Sequence, residues 1–188
     1  MLAAHTNSYH SYSFDEALAG IAAAGYRAVE LSAVPGWTEH VDVRGDPGAV
    51  RSRLEAYGLE AASISGHSDL TTADGLEHGL AVVRWAGSFG VPIVNTAVGG
   101  HAHVEESEAA FLGNIGKLAD ASLAVGVVLA LEIHGDLMAT GERSLALLDR
   151  IAHPAVKINY DTANVEHYGG VRAEDDLPAI ADRVATCT

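Results

Sequence analysis

The sequence is poorest in cysteine and in positive charge. Its one cysteine, Cys187, stands beside the last of 188 residues, so no internal disulfide can form, and a reducing, cytoplasmic location is expected. Lysine and arginine number 11 against 25 aspartate and glutamate, a formal net charge of −14, and there is no basic run. Such a surface repels phosphate backbones and anionic bilayers, so neither nucleic acid nor membrane is an expected partner. No apolar run reaches the ~20 residues of a membrane span, and the first residues read as a strand rather than a signal peptide. No strand pattern is followed by GxGxxG or GxxxxGK(S/T), so nothing marks a nucleotide site. With no linker, low-complexity tract or shift in composition, residues 1–188 read as one domain.

What is present centres on two stretches, LEIHG at Leu131–Gly135 and INYDTAN at Ile158–Asn164. Each is an apolar, partly β-branched run that ends in an acid, Glu132 in the first and Asp161 in the second. Between them lie a Gly/Met turn, a helical pattern over 142–151 and a Pro turn. That is one βαβ unit, whose parallel strands set both carboxylates at the C-terminal edge of a sheet. Hard oxygen donors converging there suit a divalent metal. The plainer alternative is a pair of acids that merely cap two strands.

The same alternation runs through the chain. Strands are expected to begin near positions 2, 27, 59, 91, 127 and 156, a β-α repeat of about thirty residues. Ser13 and Glu16 form a capping-box pattern before the first helix. Further helices are expected over about 47–57, 72–89, 105–124 and 142–151, and a last amphipathic one over about 175–185. Repeated strand and helix at this spacing mean parallel strands with right-handed crossovers, in an open sheet or a (β/α)8 barrel. Polar or ionisable residues end nearly every strand: His5, Glu30, His67, Asn95, Glu132 and Asp161. A ring of chemistry at the strand ends favours the barrel.

VELS at Val29–Ser32, SGHSDL at Ser65–Leu70, LEIHG and NYDTAN resemble, in their order and spacing, the xylose isomerase-like TIM-barrel superfamily of sugar isomerases, epimerases and inosose dehydratases. The resemblance implies that Glu132 and Asp161 are metal ligands, for Mn²⁺, Mg²⁺, Co²⁺ or Zn²⁺, and that Glu132 is also one member of a catalytic acid/base pair. It implies proton transfer beside a metal-polarised carbonyl of a small sugar or inosose, with an inosose dehydratase-like lyase as the alternative chemistry. The family's other ligands, a His from strand seven and a Glu from strand eight, find no counterpart before Ala185-Thr-Cys-Thr188. A full barrel takes about 250 residues. The expected fold is therefore an incomplete α/β TIM barrel with about six of eight β-α units, lacking strands seven and eight, truncated at the C-terminus. A non-catalytic remnant that folds only by pairing with another chain, or misfolds altogether, is the rival reading; a homo-oligomer is a separate expectation.

Six further residues are candidate substrate contacts. His67 ends the third strand, where the family often has a substrate-contacting His; the alternative is a buried, hydrogen-bonded one. Asn95 and Asn164 suit sugar hydroxyls or serve strand ends and turns. Glu30 binds substrate or pairs with a cation, and Trp37 offers an apolar wall for a sugar face or anchors its loop. His134 is expected to point away from Glu132 by strand alternation, giving it a supporting role at least as readily as a direct one. His101 and His103 have metal-like spacing but sit in a Gly-flanked loop and are read as solvated; Cys187 is given no catalytic role. Apurinic-site endonucleases of the superfamily carry a His three residues after the strand-six Asp, where this chain has Asn164. With the net charge of −14, a nuclease is a poor reading.

Overall fold

The computed structural model describes residues 1–99 and 105–188; the loop histidines His101 and His103 lie outside the described residues. Seven strands run parallel in one sheet: β1 (Ala4–His5), β2 (Ala28–Val34), β4 (Glu60–Ser65), β5 (Ile93–Thr96), β6 (Val128–Glu132), β7 (Val156–Tyr160) and β8 (Val184–Cys187), paired in that order. The two-residue β3 (Thr38–Glu39) turns back antiparallel against Ala33 and Val34 of β2. Between the parallel strands lie α1 (Phe14–Ala23), α2 (Pro47–Ala56), α3 (Ala73–Phe89), α4 (Glu105–Ala124), α5 (Gly141–Ile151), and α6 (Thr162–Gly169) with the short α7 (Ala173–Asp176). The sheet is a curled, incomplete (β/α) barrel. Among the described residues no helix is long and apolar enough to cross a membrane.

Local chemistry explains where these elements start. Ser13 and Glu16 make the capping box of α1, the Ser13 amide donating to the Glu16 carboxylate at 2.8 Å. Asp46 caps α2 with Pro47 in its first turn, and Thr72 caps α3, which stops at Gly90 in the left-handed conformation. Parallel strands are covered on both faces, so they read as near-continuous apolar runs. Val29, Leu31, Ile64, Leu129, Leu131 and Ile158 are all fully buried.

The C-terminal region corrects two expectations. The amphipathic helix over 175–185 does not form; α7 gives way to single 3-10 turns at Leu177–Ala179 and Ala181–Arg183. Pro178 has no amide hydrogen to continue an α-helix and clashes with the preceding turn. Val184–Cys187 is instead a seventh parallel strand, with Ile158 opposite Val184 and Tyr160 opposite Cys187, so strand seven is present where the sequence reading had it missing. Six β-α units precede it. The sequence reading also passed over α6, eight residues with little amphipathic signal, capped by Asp161 and ended by Gly170.

The loop after β4 is pressed onto the start of α3. A Cβ built on Gly75 would lie 1.9 Å from the Asp69 carbonyl oxygen, whereas one on Gly79 meets side-chain tips, those of Leu118 at 3.2 Å and Leu70 at 3.5 Å. Backbone cannot yield as a side-chain tip can. Gly75→Ala is expected to destabilise by about 1–3 kcal/mol, the usual cost of overpacking. Gly79→Ala is expected to cost less, since helix propensity gains partly offset the squeeze. Urea unfolding of the two variants checks the order.

Candidate functional site

The C-terminal ends of the parallel strands surround a cavity of about 590 Å³. Glu132 is the last residue of β6 and Asp161 follows the last residue of β7. Because β6 and β7 are adjacent and parallel, with Leu131 opposite Ile158 and Glu132 opposite Asn159, both acids reach the same mouth, and both line the cavity.

Glu132 is 15% exposed and closely partnered. The His67 ring donates through Nε2 to Oε2 at 2.8 Å, and Asn164 donates through Nδ2 to Oε1 at 3.1 Å. His134 Nδ1 stands 3.5 Å from Oε1. Ser65 Oγ lies 2.7 Å from the other His67 nitrogen and so fixes that ring from both sides. Burial pushes the Glu132 carboxyl up, but the hydrogen bonds and charge of His134 and His67 outweigh it and bring the pKa down to about 2. The same contact with Glu132 raises His134 above its ordinary 6.5, against a smaller opposing effect of burial.

The position of His134 is a correction. Side chains alternate along a strand, so residues two apart share a side; Glu132 and His134 are two apart, and it is Ile133, fully buried, that points the other way. His134 therefore lines the cavity beside Glu132 and does not point away from it.

Asp161 has two tasks at one place. Its Oδ1 accepts from the amides of Ala163 at 2.9 Å and Asn164 at 2.8 Å, capping α6. That helix in turn aims Asn164 at Glu132. Opposite stands Glu30 on β2, 7% exposed, which accepts hydrogen bonds from Ser63 and Asn95 on the next two parallel strands and faces His5 Nδ1 at 3.5 Å. A register shift in the β2–β4 pairing falls immediately before Glu30. Burial lowers the His5 pKa, with Glu30 opposing in part.

Of the sequence candidates, Glu30, Trp37, His67, Glu132, His134 and Asp161 line the cavity. Asn95 and Asn164 are not among its lining residues. Asn95 is fully buried and spends its amide on Glu30; Asn164 stands behind Glu132. Trp37 is 67% exposed, set edge-on to His10 in the turn between β2 and β3. That turn is held because Thr38 donates to the Asn7 side chain at 2.6 Å. The sequence reading assigned no role to His5, Asn7, Ser65, Asp69 or Thr188, which also line the cavity. His5 was visible as a strand-end histidine, and Ser65 and Asp69 lie in the SGHSDL stretch; Asn7 and Thr188 carried no signal of their own.

In kind, the donors fit a hard divalent cation, since two carboxylates from adjacent strands line one cavity. In number they are few. Among the described residues no group of three or more His, Cys, Asp and Glu is placed to hold a metal, and β8, reading Val-Ala-Thr-Cys, contains no histidine.

The Glu132 pKa lies below its ordinary 4.5, so the stability it contributes is complete above about pH 4.5 and is lost as the pH falls toward 2. Glu132→Gln is expected to cost on the order of 1–3 kcal/mol at pH 7. The urea midpoints of wild type and variant are expected to converge as the pH is taken toward 2. In the same variant the His134 resonances, followed by NMR, are expected to titrate at lower pH than in wild type. An unmoved His134 would show that Glu132 does not hold its proton.

Residues 18–186 match the family model described as xylose isomerase-like TIM barrel. No curated protein matches the chain in sequence. Among solved structures, D-allulose 3-epimerase from Methylomonas sp. superposes with a TM-score of 0.78 at 23% identity, over 98% of this chain and 70% of that one. The probable 3-DHS dehydratase AsbF from Bacillus anthracis gives 0.80 at 20% identity, over 98% and 71%. A xylose isomerase-like TIM barrel protein from Mycobacterium smegmatis, in complex with magnesium, gives 0.77 at 18% identity, over 97% and 71%. The agreement of strand order, strand-end acids and family model is sufficient to place the chain: it belongs to the xylose isomerase-like TIM barrel family.

Proposed function

We propose that this chain carries the site of a divalent metal-dependent sugar isomerase or epimerase. The observation that carries the reading is Glu132, held ionised between two imidazoles beside Asp161 at the mouth of the barrel. A D-allulose 3-epimerase and a magnesium-bound member among the structural neighbours support it. Glu132 and Asp161 would hold the metal, which when bound polarises a substrate carbonyl and makes the neighbouring C–H acidic.

The residues divide the remaining work. Trp37 offers an apolar face to the sugar and Glu30 an acceptor for its hydroxyls, while His67, with both ring nitrogens engaged, lines the cavity and holds Glu132. Asn95 and Asn164 position Glu30 and Glu132 by the hydrogen bonds already described. Glu132 takes the proton from the carbon beside the carbonyl and returns it. His134 keeps its raised pKa only while Glu132 beside it is ionised. Binding His67, His134 and Asn164 around one carboxylate fixes the geometry that proton transfer requires.

The test is exchange in D₂O. With Mn²⁺ present, D-allulose or D-fructose is expected to take up deuterium at the carbon beside the carbonyl, and Glu132→Gln to slow this by about 10²–10⁴-fold, the usual worth of a general base. Calorimetry is expected to show Mn²⁺ binding that Asp161→Ala abolishes. Loss of 18 Da from an inosose, in place of isomerisation, would identify the lyase alternative. A well-folded chain with neither Mn²⁺ binding nor exchange would sink the enzyme reading and leave the non-catalytic one.

A further inference from the structure

The charges around the cavity narrow the substrate class, on the reading that the site takes a sugar. Four carboxylates line it, those of Glu30, Asp69, Glu132 and Asp161. None of the eleven lysines and arginines of the chain is among the described lining residues. Residues 100–104, Gly-His-Ala-His-Val, add neither type. Several of the cations are committed elsewhere: Arg51 donates to the Phe89 carbonyl at 2.6 Å, Arg150 pairs with Glu108, and Arg183 stands 3.5 Å from Asp149.

Each described histidine of the lining also stands beside a carboxylate. His67 and His134 face Glu132, and His5 faces Glu30, at 3.5 Å or less. Helix N-termini commonly bind phosphate through free amides, but here Asp161 itself takes the Ala163 and Asn164 amides of α6. At α3 the Gly75 amide goes to the Thr72 hydroxyl at 3.1 Å. A divalent ion held by Glu132 and Asp161 would balance those two acids, and Glu30 and Asp69 would still present two carboxylates to the cavity. Carboxylate oxygens accept from sugar hydroxyls and repel a phosphate or carboxylate.

We propose that this cavity selects an uncharged polyhydroxy carbonyl compound and rejects its phosphorylated and carboxylated counterparts. Asp69 is the side chain through which this can be altered without touching the metal pair. Its Oδ1 accepts from the Thr71 amide at 3.0 Å and the Thr71 hydroxyl at 2.6 Å, contacts that an asparagine in the same pose retains.

Trp37 provides a built-in reporter, because it lines the cavity at 67% exposure while the other tryptophan, Trp85, is buried at 4%. D-fructose and D-fructose 6-phosphate are titrated separately into the Mg²⁺-loaded chain, followed by Trp fluorescence and calorimetry. The free sugar is expected to bind at least tenfold more tightly. In Asp69→Asn the gap is expected to shrink, with far-UV circular dichroism confirming an unchanged fold. A phosphate ester that binds as tightly as the free sugar overturns the proposal, and so does a folded chain that binds neither. Selective binding of the free sugar without deuterium exchange removes the proposed reaction and leaves the selectivity standing. Exchange that prefers the phosphate ester does the reverse.

Discussion

An ionised carboxylate taken out of water needs compensation, and much of the site is arranged around giving it to Glu132. The Glu132 side chain is only 15% exposed, a burial that by itself favours the neutral acid. Three groups from three places reverse this: His67 from the loop after β4, His134 two residues beyond β6, and Asn164 from α6. Each has a supporting contact of its own. Ser65 steadies His67, the Asp161 cap starts the helix that carries Asn164, and the short extension of β6 sets His134 on the correct side. Other contacts hold the same side chains: Asn164 also donates to the Ile133 carbonyl at 2.9 Å, and the His134 ring lies against that of Tyr168.

The arrangement ties function to the barrel geometry at two depths. Above, the parallel register of β6 and β7 places the two acids side by side. Below, Glu30 is clamped by Ser63 and Asn95 from the neighbouring strands, so its orientation is set by sheet packing rather than by a loop. Buried polar groups of this kind hold their positions only when their hydrogen bonds are made. Glu132 and its partners therefore rest on a floor whose position is set by the sheet.

Much of this was legible in the sequence because strands and acids coincide. Apolar runs that end in Glu132, Asp161, Glu30 or His67 give both the period of the fold and the side on which its chemistry gathers. Two things were not legible. Val184–Cys187 is a strand only because Ile158–Tyr160 offers it an edge, and four residues alone carry no period that separates strand from helix. Asn95 has the same strand-end position as its neighbours, and only its full burial shows that it serves Glu30 and not the cavity. For His134, by contrast, the pattern was available, since an offset of two along a strand puts it on the Glu132 side.

Strand order has a consequence for how this molecule is made. Apart from β3, every strand pairs with the parallel strand before it in the chain, about thirty residues back, the length of one β-α repeat. No early strand has to wait for a distant partner. The sheet is able to grow at one edge as the polypeptide leaves the ribosome, each new β-α unit docking on the last, and synthesis at about 5–20 residues per second gives each unit a few seconds alone. The acids of the site arrive in the same order, Glu30 first and Asp161 near the end, so repulsion among them is met only after most of the apolar core is in place.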